Sequence, residues 1–257
     1  MAEKMQDNGG MQEVLIAPPL RIRYLPGRTQ RLVISFSGVG NLRHEEPPLE
    51  FFRLAGWDGE NHVLFVTDES RSWLNGPGMA ERIVETVHRF VAQTSATSVI
   101  ALGNSMGGTM AIHLSQMMPI DAVIALVPQY SADPSGVPEE TRWRYFRRKI
   151  EQFRFSGIGD LPVERTRFII LHGGSTDEWA HARRFPVLAG LDHYILPACD
   201  HNLARTLHAD KRLAPILRHA MLGHRWQVRK AVRALGGLSR HQFEQSNGDF
   251  ALTGGAA

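Results

Sequence analysis

Short apolar runs rich in β-branched residues alternate with longer amphipathic segments along most of this 257-residue chain. That alternation constrains the fold more than any other feature. Buried strands separated by helix-length segments are joined by crossovers, so they lie parallel, with helices on both faces of the sheet. The expected strands are Val14–Ile16 and Leu20–Leu25, an antiparallel start closed by the turn residues Pro26-Gly27, then Leu32–Phe36, His62–Val66, Ser98–Leu102, Ala122–Val127, Phe168–Leu171 and His193–Leu196. Helices fill the gaps. In Met79–Ala92, apolar residues at Met79, Ile83, Val84, Val87, Phe90 and Val91 follow the helical period. Met106–Met117, Glu178–Phe185, Leu203–Met221 and a basic Arg225–Leu235 are the others. The fold class is α/β, with a mostly parallel central sheet.

Between Gln129 and Thr166 the pattern loosens. Pro134, Pro138 and Pro162 punctuate it, around a helix at about Glu139–Phe155. The segment follows a strand and is read as a small helical cap inserted in a single domain spanning 1–257. A basic helical tail from about 225 to 257 ends in a Gly/Ala-rich stretch, Thr253–Ala257, expected to fray. The length exceeds the ~150 residues of an average domain, but α/β folds reach this size as one unit.

Composition narrows the function classes. No run approaches the ~20 apolar residues of a membrane span. Met1–Met11 is polar and lacks an apolar signal core, which favours the cytoplasm. Cys199 is the single cysteine, so neither an internal disulfide nor a cysteine-based zinc site is available. Basic residues crowd 142–154 and 225–240, but the net charge is only +3. These clusters are read as solvated helix faces, and no nucleic-acid partner is expected.

One segment carries chemistry. Gly103-Asn104-Ser105-Met106-Gly107-Gly108 has the form G-x-S-x-G. A serine on a sharp strand-to-helix turn is strained, and side chains two positions before and after it would clash; glycine removes both clashes. The hydroxyl then emerges at the carboxyl end of the sheet, above a helix N-terminus carrying partial positive charge. The five-residue pattern is weak alone. It gains force from the β-branched run Ser98–Leu102 before it and the amphipathic helix after it. Neither a G-x-G-x-x-G nor a phosphate-binding G-x-x-x-x-G-K-[ST] pattern is present.

A serine needs a base, and the base needs a carboxylate, in the chain order serine, acid, histidine. After the serine motif, His172 and His201 occupy strand-end loops. His172 directly ends a strand, where it orients neighbours, so His201 is the candidate base. Asp177 lies just past the strand Phe168–Leu171 and is the candidate acid, although Asp is also a favoured helix cap. Asp133 is its chief rival, with Glu178 and Asp200 behind it. An oxyanion hole takes two backbone donors. Met106 N–H follows the nucleophile, and Val39 N–H is the first choice from the loop Ser37-Gly38-Val39-Gly40.

With the elbow Gly103–Gly107, the loop Ser37–Gly40, Asp177 and His201 in this order, the chain resembles the α/β-hydrolase superfamily from about Leu32 to Leu222. The resemblance implies an α/β-hydrolase fold and a Ser-His-Asp acyl-enzyme mechanism that uses no metal and no organic cofactor. Many relatives carry His-Gly in the oxyanion loop, where this chain has Ser37-Gly38. The expected activity is that of an esterase-like serine hydrolase, with acyl transfer to an alcohol and a non-catalytic binding role as alternatives. The expected substrate is a small acyl ester, anionic if the arginines of the cap face the site. Gly38, Trp73 and Arg147 are the candidate substrate contacts.

Overall fold

The computed structural model describes residues 10–253. The Gly/Ala-rich end beyond residue 253 and the polar start before residue 10 lie outside the described residues. Among the described residues, nine strands form one sheet in the order β1-β2-β4-β3-β5-β6-β7-β8-β9. The strands are β1 Gln12–Ala17, β2 Leu20–Leu25, β3 Arg31–Phe36, β4 His62–Asp68, β5 Ser98–Asn104, β6 Ala122–Leu126, β7 Arg167–Gly173, β8 Leu191–Leu196 and β9 Leu238–Ser239. From β4 through β8 all neighbours pair in parallel, as buried strands joined by helical crossovers must. Antiparallel strands close both edges: β1 and β2 on one side, β9 on the other.

Each central strand divides its side chains between two cores, as the two-residue period of a strand requires. On one face, Leu32, Ile34 and Phe36 of β3 meet α2 (Met79–Thr94) and α3 (Met106–Met117). On the other, Val33, Ile100, Leu102 and Ile124 pack with α1 (Phe52–Gly56), α6 (Leu203–Ala209), α7 (Leu213–Met221) and α8 (Arg225–Arg233). Ile34, Leu102 and Ile124 are fully buried. Truncating any of them to alanine costs about 2–5 kcal/mol, because the cavity collapses only in part.

The segment between β6 and β7 differs from the expected cap helix. Its helix is one short piece, α4 Arg144–Arg147, set among turns. The cause is local. Trp143 takes a left-handed φ of 56° that ends regular helix on its N-terminal side. The Arg147 guanidinium, buried at 3% exposure, donates to the carbonyls of Ala132 and Glu140, so a side chain satisfies the irregular backbone. Ala132, Phe146, Ile158 and Leu161 of this segment belong to the core beneath α2 and α3 rather than to one of their own. The expected helix 203–221 is likewise two helices, broken at Asp210–Arg212 where Lys211 has φ 57°. The basic tail does not stand away from the body. Val228 and Val232 of α8 are buried, and β9 hydrogen-bonds the edge of β8 before α9 (Arg240–Thr253) begins. Among the described residues, no helix is long and apolar enough to cross a membrane.

Candidate active site

Ser105 sits between β5 and α3 with φ 55° and ψ −124°, outside the regions a β-substituted residue prefers. The two glycines around it permit this. A Cβ on Gly103 would lie 2.1 Å from the Gly107 carbonyl carbon, and one on Gly107 would lie 2.4 Å from the Phe36 carbonyl oxygen. Strand end, helix start and the loop after β3 are thus in backbone contact, and only glycine fits at both places. The turn is pinned by Ser105 N–H donating to Leu126 O at 2.8 Å.

The candidate base reaches the serine. His201, in the loop after β8, has Nε2 2.9 Å from Ser105 Oγ. Its Nδ1 lies 2.8 Å from Glu178 Oε1. The carboxylate that meets His201 is therefore Glu178 and not Asp177. The helix α5 (Thr176–Ala182) starts two residues earlier than the apolar pattern indicates, with Ser175 at its N-cap. Asp177 then falls on the solvent side of the first turn, and Glu178, one helical step on, turns inward and is 1% exposed. The other candidates are spent locally: Asp133 Oδ1 accepts the Ser135 N–H, and Asp200 Oδ1 the Asn202 N–H.

Burial would raise the Glu178 carboxyl, but the His201 hydrogen bond and the positive charges around it, Arg142 among them, outweigh that and hold it below the ordinary carboxylate range. Arg142 Nη1 reaches the same Oε1 at 3.0 Å. Arg142 also grips Glu140 at 2.7 Å, and Glu140 takes the His181 Nε2–H at 2.9 Å. For Glu140 burial again pushes upward, and the bonds from His181 and Arg142 prevail, bringing it to about 2. The segment after β6 is thereby bound electrostatically to the acid of the site. It also covers the base: the Trp143 ring lies 5.0 Å from the His201 ring, centroid to centroid.

In the loop after β3, Ser37 N–H is used by Val66 O. Gly38 faces the Glu50 carboxyl, which burial drives up to about 7 against the opposing effect of the Gly38 N–H. Gly38 is thus a support of this loop. Neither Val39 N–H nor Met106 N–H, the latter in the first turn of α3, has a backbone acceptor outside regular elements among the described residues, so both remain candidate oxyanion donors. Arg71 clamps the loop from behind through Val39 O at 3.2 Å and Glu45 O at 2.5 Å.

Two proposed substrate contacts are placed elsewhere. Arg147, 3% exposed, gives its Nε and Nη1 to backbone carbonyls inside the segment after β6. Trp73 is 1% exposed, and its Nε1–H goes to Gln129 Oε1 at 2.8 Å. Open space lies instead between the oxyanion loop and the segment after β6. This cavity of about 420 Å³ is lined by Val39, Arg43, Trp143, Arg144, Tyr145 and Phe146, among others. His172 orients its neighbours: its Nε2 lies 2.8 Å from Pro128 O and its Nδ1 2.9 Å from His193 Nε2. Burial lowers His172 to about 4, so the ring is neutral and its Nε2–H donates to Pro128.

Gln129 and Glu50 were not singled out from sequence. Their side chains carry no spacing signature, and their partners lie far away along the chain.

No protein-family model matches the chain, and no curated protein matches it in sequence. Its architecture has clear counterparts among solved structures. An α/β serine hydrolase without lid from Xanthomonas campestris superposes with a TM-score of 0.56 at 14% identity, over 85% of this chain and 95% of that one. The capsule O-acetyltransferase of Neisseria meningitidis serogroup A superposes with a TM-score of 0.59 at 13% identity, over 84% and 97%. The chain has the α/β-hydrolase fold. A putative α/β hydrolase from Agrobacterium tumefaciens, at TM-score 0.51 and 14% identity over 82% and 97%, shares it. In this fold the carboxyl ends of the parallel strands hold the reacting groups, the end where Ser105, Glu178 and His201 meet.

Proposed function

We propose that this protein is a serine hydrolase that cleaves a carboxylic ester or thioester through an acyl-enzyme. One observation carries the proposal: the unbroken hydrogen-bonded line from Ser105 Oγ through His201 to Glu178 at 2.9 and 2.8 Å. Ser105 Oγ attacks the acyl carbon, the new C–O bond forms, and the carbonyl π pair moves onto oxygen, opposite the N–H groups of Val39 and Met106. The Oγ proton passes to His201 Nε2, and Glu178 stabilises the imidazolium. Collapse breaks the bond to the leaving group, which takes that proton. Water, deprotonated by the same imidazole, then releases the acid and returns the proton to Ser105.

The cavity beside Trp143 supports an acyl ester with an anionic group, because Arg43 and Arg144 line it and neither forms an ion pair among the described residues. Ser105→Ala is expected to abolish labelling by a fluorophosphonate and turnover of an activated ester. Full stoichiometric labelling of that variant would overturn the assignment. A second reading is acyl transfer to an alcohol, in keeping with the capsule O-acetyltransferase among the solved structures that share the fold. Product analysis with an added alcohol separates the two: ester product at the expense of free acid indicates transfer.

A further inference from the structure

Gln129 belongs neither to the triad nor to the backbone oxyanion hole, yet its Nε2 donates to Ser105 Oγ at 3.0 Å from a residue that is 1% exposed. Its orientation is not free. Trp73 Nε1–H occupies the amide oxygen at 2.8 Å, so the NH2 end is the one turned to the serine. The backbone beneath it is fixed at three consecutive residues. His172 Nε2 holds Pro128 O at 2.8 Å, Thr109 Oγ1 holds Gln129 O at 2.9 Å, and His181 Nδ1 receives Tyr130 N–H at 3.0 Å. Val127, which leads in, has φ 43°, unusual for a β-branched residue. The loop that delivers Trp73 is equally constrained, with positive φ at Arg71, Trp73 and Leu74. Asp68 ties it down by accepting from Ser70 N–H at 2.9 Å and Ser72 N–H at 2.6 Å. Two strained loops from opposite sides of β3 and β5 converge to aim one N–H at one oxygen.

We infer that Gln129 is a third hydrogen-bond donor of the catalytic centre, acting on the charge that Ser105 Oγ carries, and that Trp73 is the residue that positions it. The inference rests on the acyl-transfer reading above. Its action falls where Oγ is most anionic. In acylation that is the moment when its proton is passing to His201 Nε2 and the bond to carbon is still forming. In deacylation the Oγ–C bond breaks, the electron pair returns to Oγ, and the proton comes back from His201. A donor already in place stabilises that charge without reorganisation.

The test measures fluorophosphonate labelling rates and turnover of an activated ester across pH for wild type, Gln129→Leu, Gln129→Glu and Trp73→Phe, each with a thermal melt. Absence of labelling in the wild type overturns the acyl-transfer reading and this inference with it. With labelling intact, Gln129→Leu is expected to lose about 100-fold in kcat, the scale of one lost oxyanion-type donor, with KM little changed. Trp73→Phe keeps the ring and frees the amide, so its loss is smaller, about 10-fold. Gln129→Glu supplies the signature a packing role would not produce. Its carboxylate repels the charge on Oγ, and its protonated form donates to Oγ again, so its rate relative to wild type rises as pH falls. A kcat for Gln129→Leu within about twofold of wild type overturns the inference. If that variant fails to fold, a pH-independent ratio for Gln129→Glu overturns it instead.

Discussion

Replacing Glu178 with glutamine tests the site at the point where sequence and structure part. In the wild type, Glu178 Oε1 accepts from both His201 Nδ1 at 2.8 Å and Arg142 Nη1 at 3.0 Å. A glutamine placed there serves both donors with its amide oxygen at the same position, because two donors converge on one atom. The imidazole therefore keeps its tautomer. In serine proteases an amide at the acid position inverts that tautomer and costs about 10⁴ in kcat. Here the loss reduces to the missing negative charge. Two unit charges about 4 Å apart at an effective dielectric of about 20 attract by about 4 kcal/mol. That attraction acts on the imidazolium formed as His201 takes the serine proton. At 1.36 kcal/mol per decade the expected fall in kcat is therefore about 10³, with KM little changed. Arg142 keeps Glu140 at 2.7 Å, so the variant is expected to fold, which a thermal melt checks. Asp177→Asn, on an exposed residue of the same turn, is expected to leave kcat within about twofold. The assay is turnover of an activated ester under saturating conditions. A 10³-fold loss in Asp177→Asn beside a near-normal Glu178→Gln would refute the assignment of the acid. A loss near 10⁴ for Glu178→Gln would show that the tautomer does invert and that Arg142 does not fix the amide.

Other expectations follow from the same contacts. Gly103→Ala forces a Cβ to within 2.1 Å of the Gly107 carbonyl carbon, so it is expected to lower Tm sharply or prevent folding. Glu140, held at about 2, adds stability that is fully present above the ordinary carboxylate value of 4.5 and is lost as pH falls toward 2; the Tm gap between wild type and Glu140→Gln should close over that window. Glu50 has the opposite sign. Raised to about 7, its carboxyl stabilises the fold fully below 4.5 and progressively less as pH rises toward 7, so Glu50→Gln is expected to raise Tm at pH 8 and to matter little at pH 4. Arg147→Ala is expected to cost stability through the orphaned carbonyls of Ala132 and Glu140, while anionic and neutral esters keep the same ratio of KM values.

What was legible in the sequence is what repeats along the chain. The strand periods located the parallel core to within a residue or two, since burial on two faces leaves long β-branched runs. The glycines around Ser105 were readable because no other residue tolerates those contacts. His201 was readable because so few histidines follow a strand end. The carboxylate that meets His201 lies one residue beyond the expected Asp177. Asp177 and Glu178 are both carboxylates in one turn, and choosing between them required the helix start to within a residue, where local pattern is least informative. The expected helix 203–221 is split at Lys211, and Pro215 marks the break: in a continuous helix its ring would clash with the Lys211 carbonyl and it has no N–H to donate to it.

The cap arginines show a second limit. Pattern alone equates Arg142, Arg144 and Arg147, three basic residues in an aromatic-rich run. The structure gives them three separate tasks: Arg142 on Glu178, Arg144 at the cavity wall, and Arg147 buried on carbonyls. A guanidinium's use is decided by which acceptors lie within reach, and those come from segments distant in sequence.

Backbone strain explains why the rest of the centre escaped a reading by pattern. Among the described residues, Arg71, Trp73, Leu74, Ser105, Val127 and Trp143 all have positive φ without being glycine, and each belongs to the site or to a segment that touches it. Such conformations cost of order 1–3 kcal/mol apiece and persist where surrounding contacts over-determine them. Around Ser105 those contacts can be named: Leu126 O on the elbow, Leu171 O on Val127, the Asp68 carboxylate on the Trp73 loop, and the Trp143 carbonyl accepting from Phe146. Residue preference argues against a left-handed valine or tryptophan at every one of these places. A reading built on preference therefore misses the very positions where the fold departs from it, and these departures hold Trp73, Gln129 and Trp143 against the serine and its base.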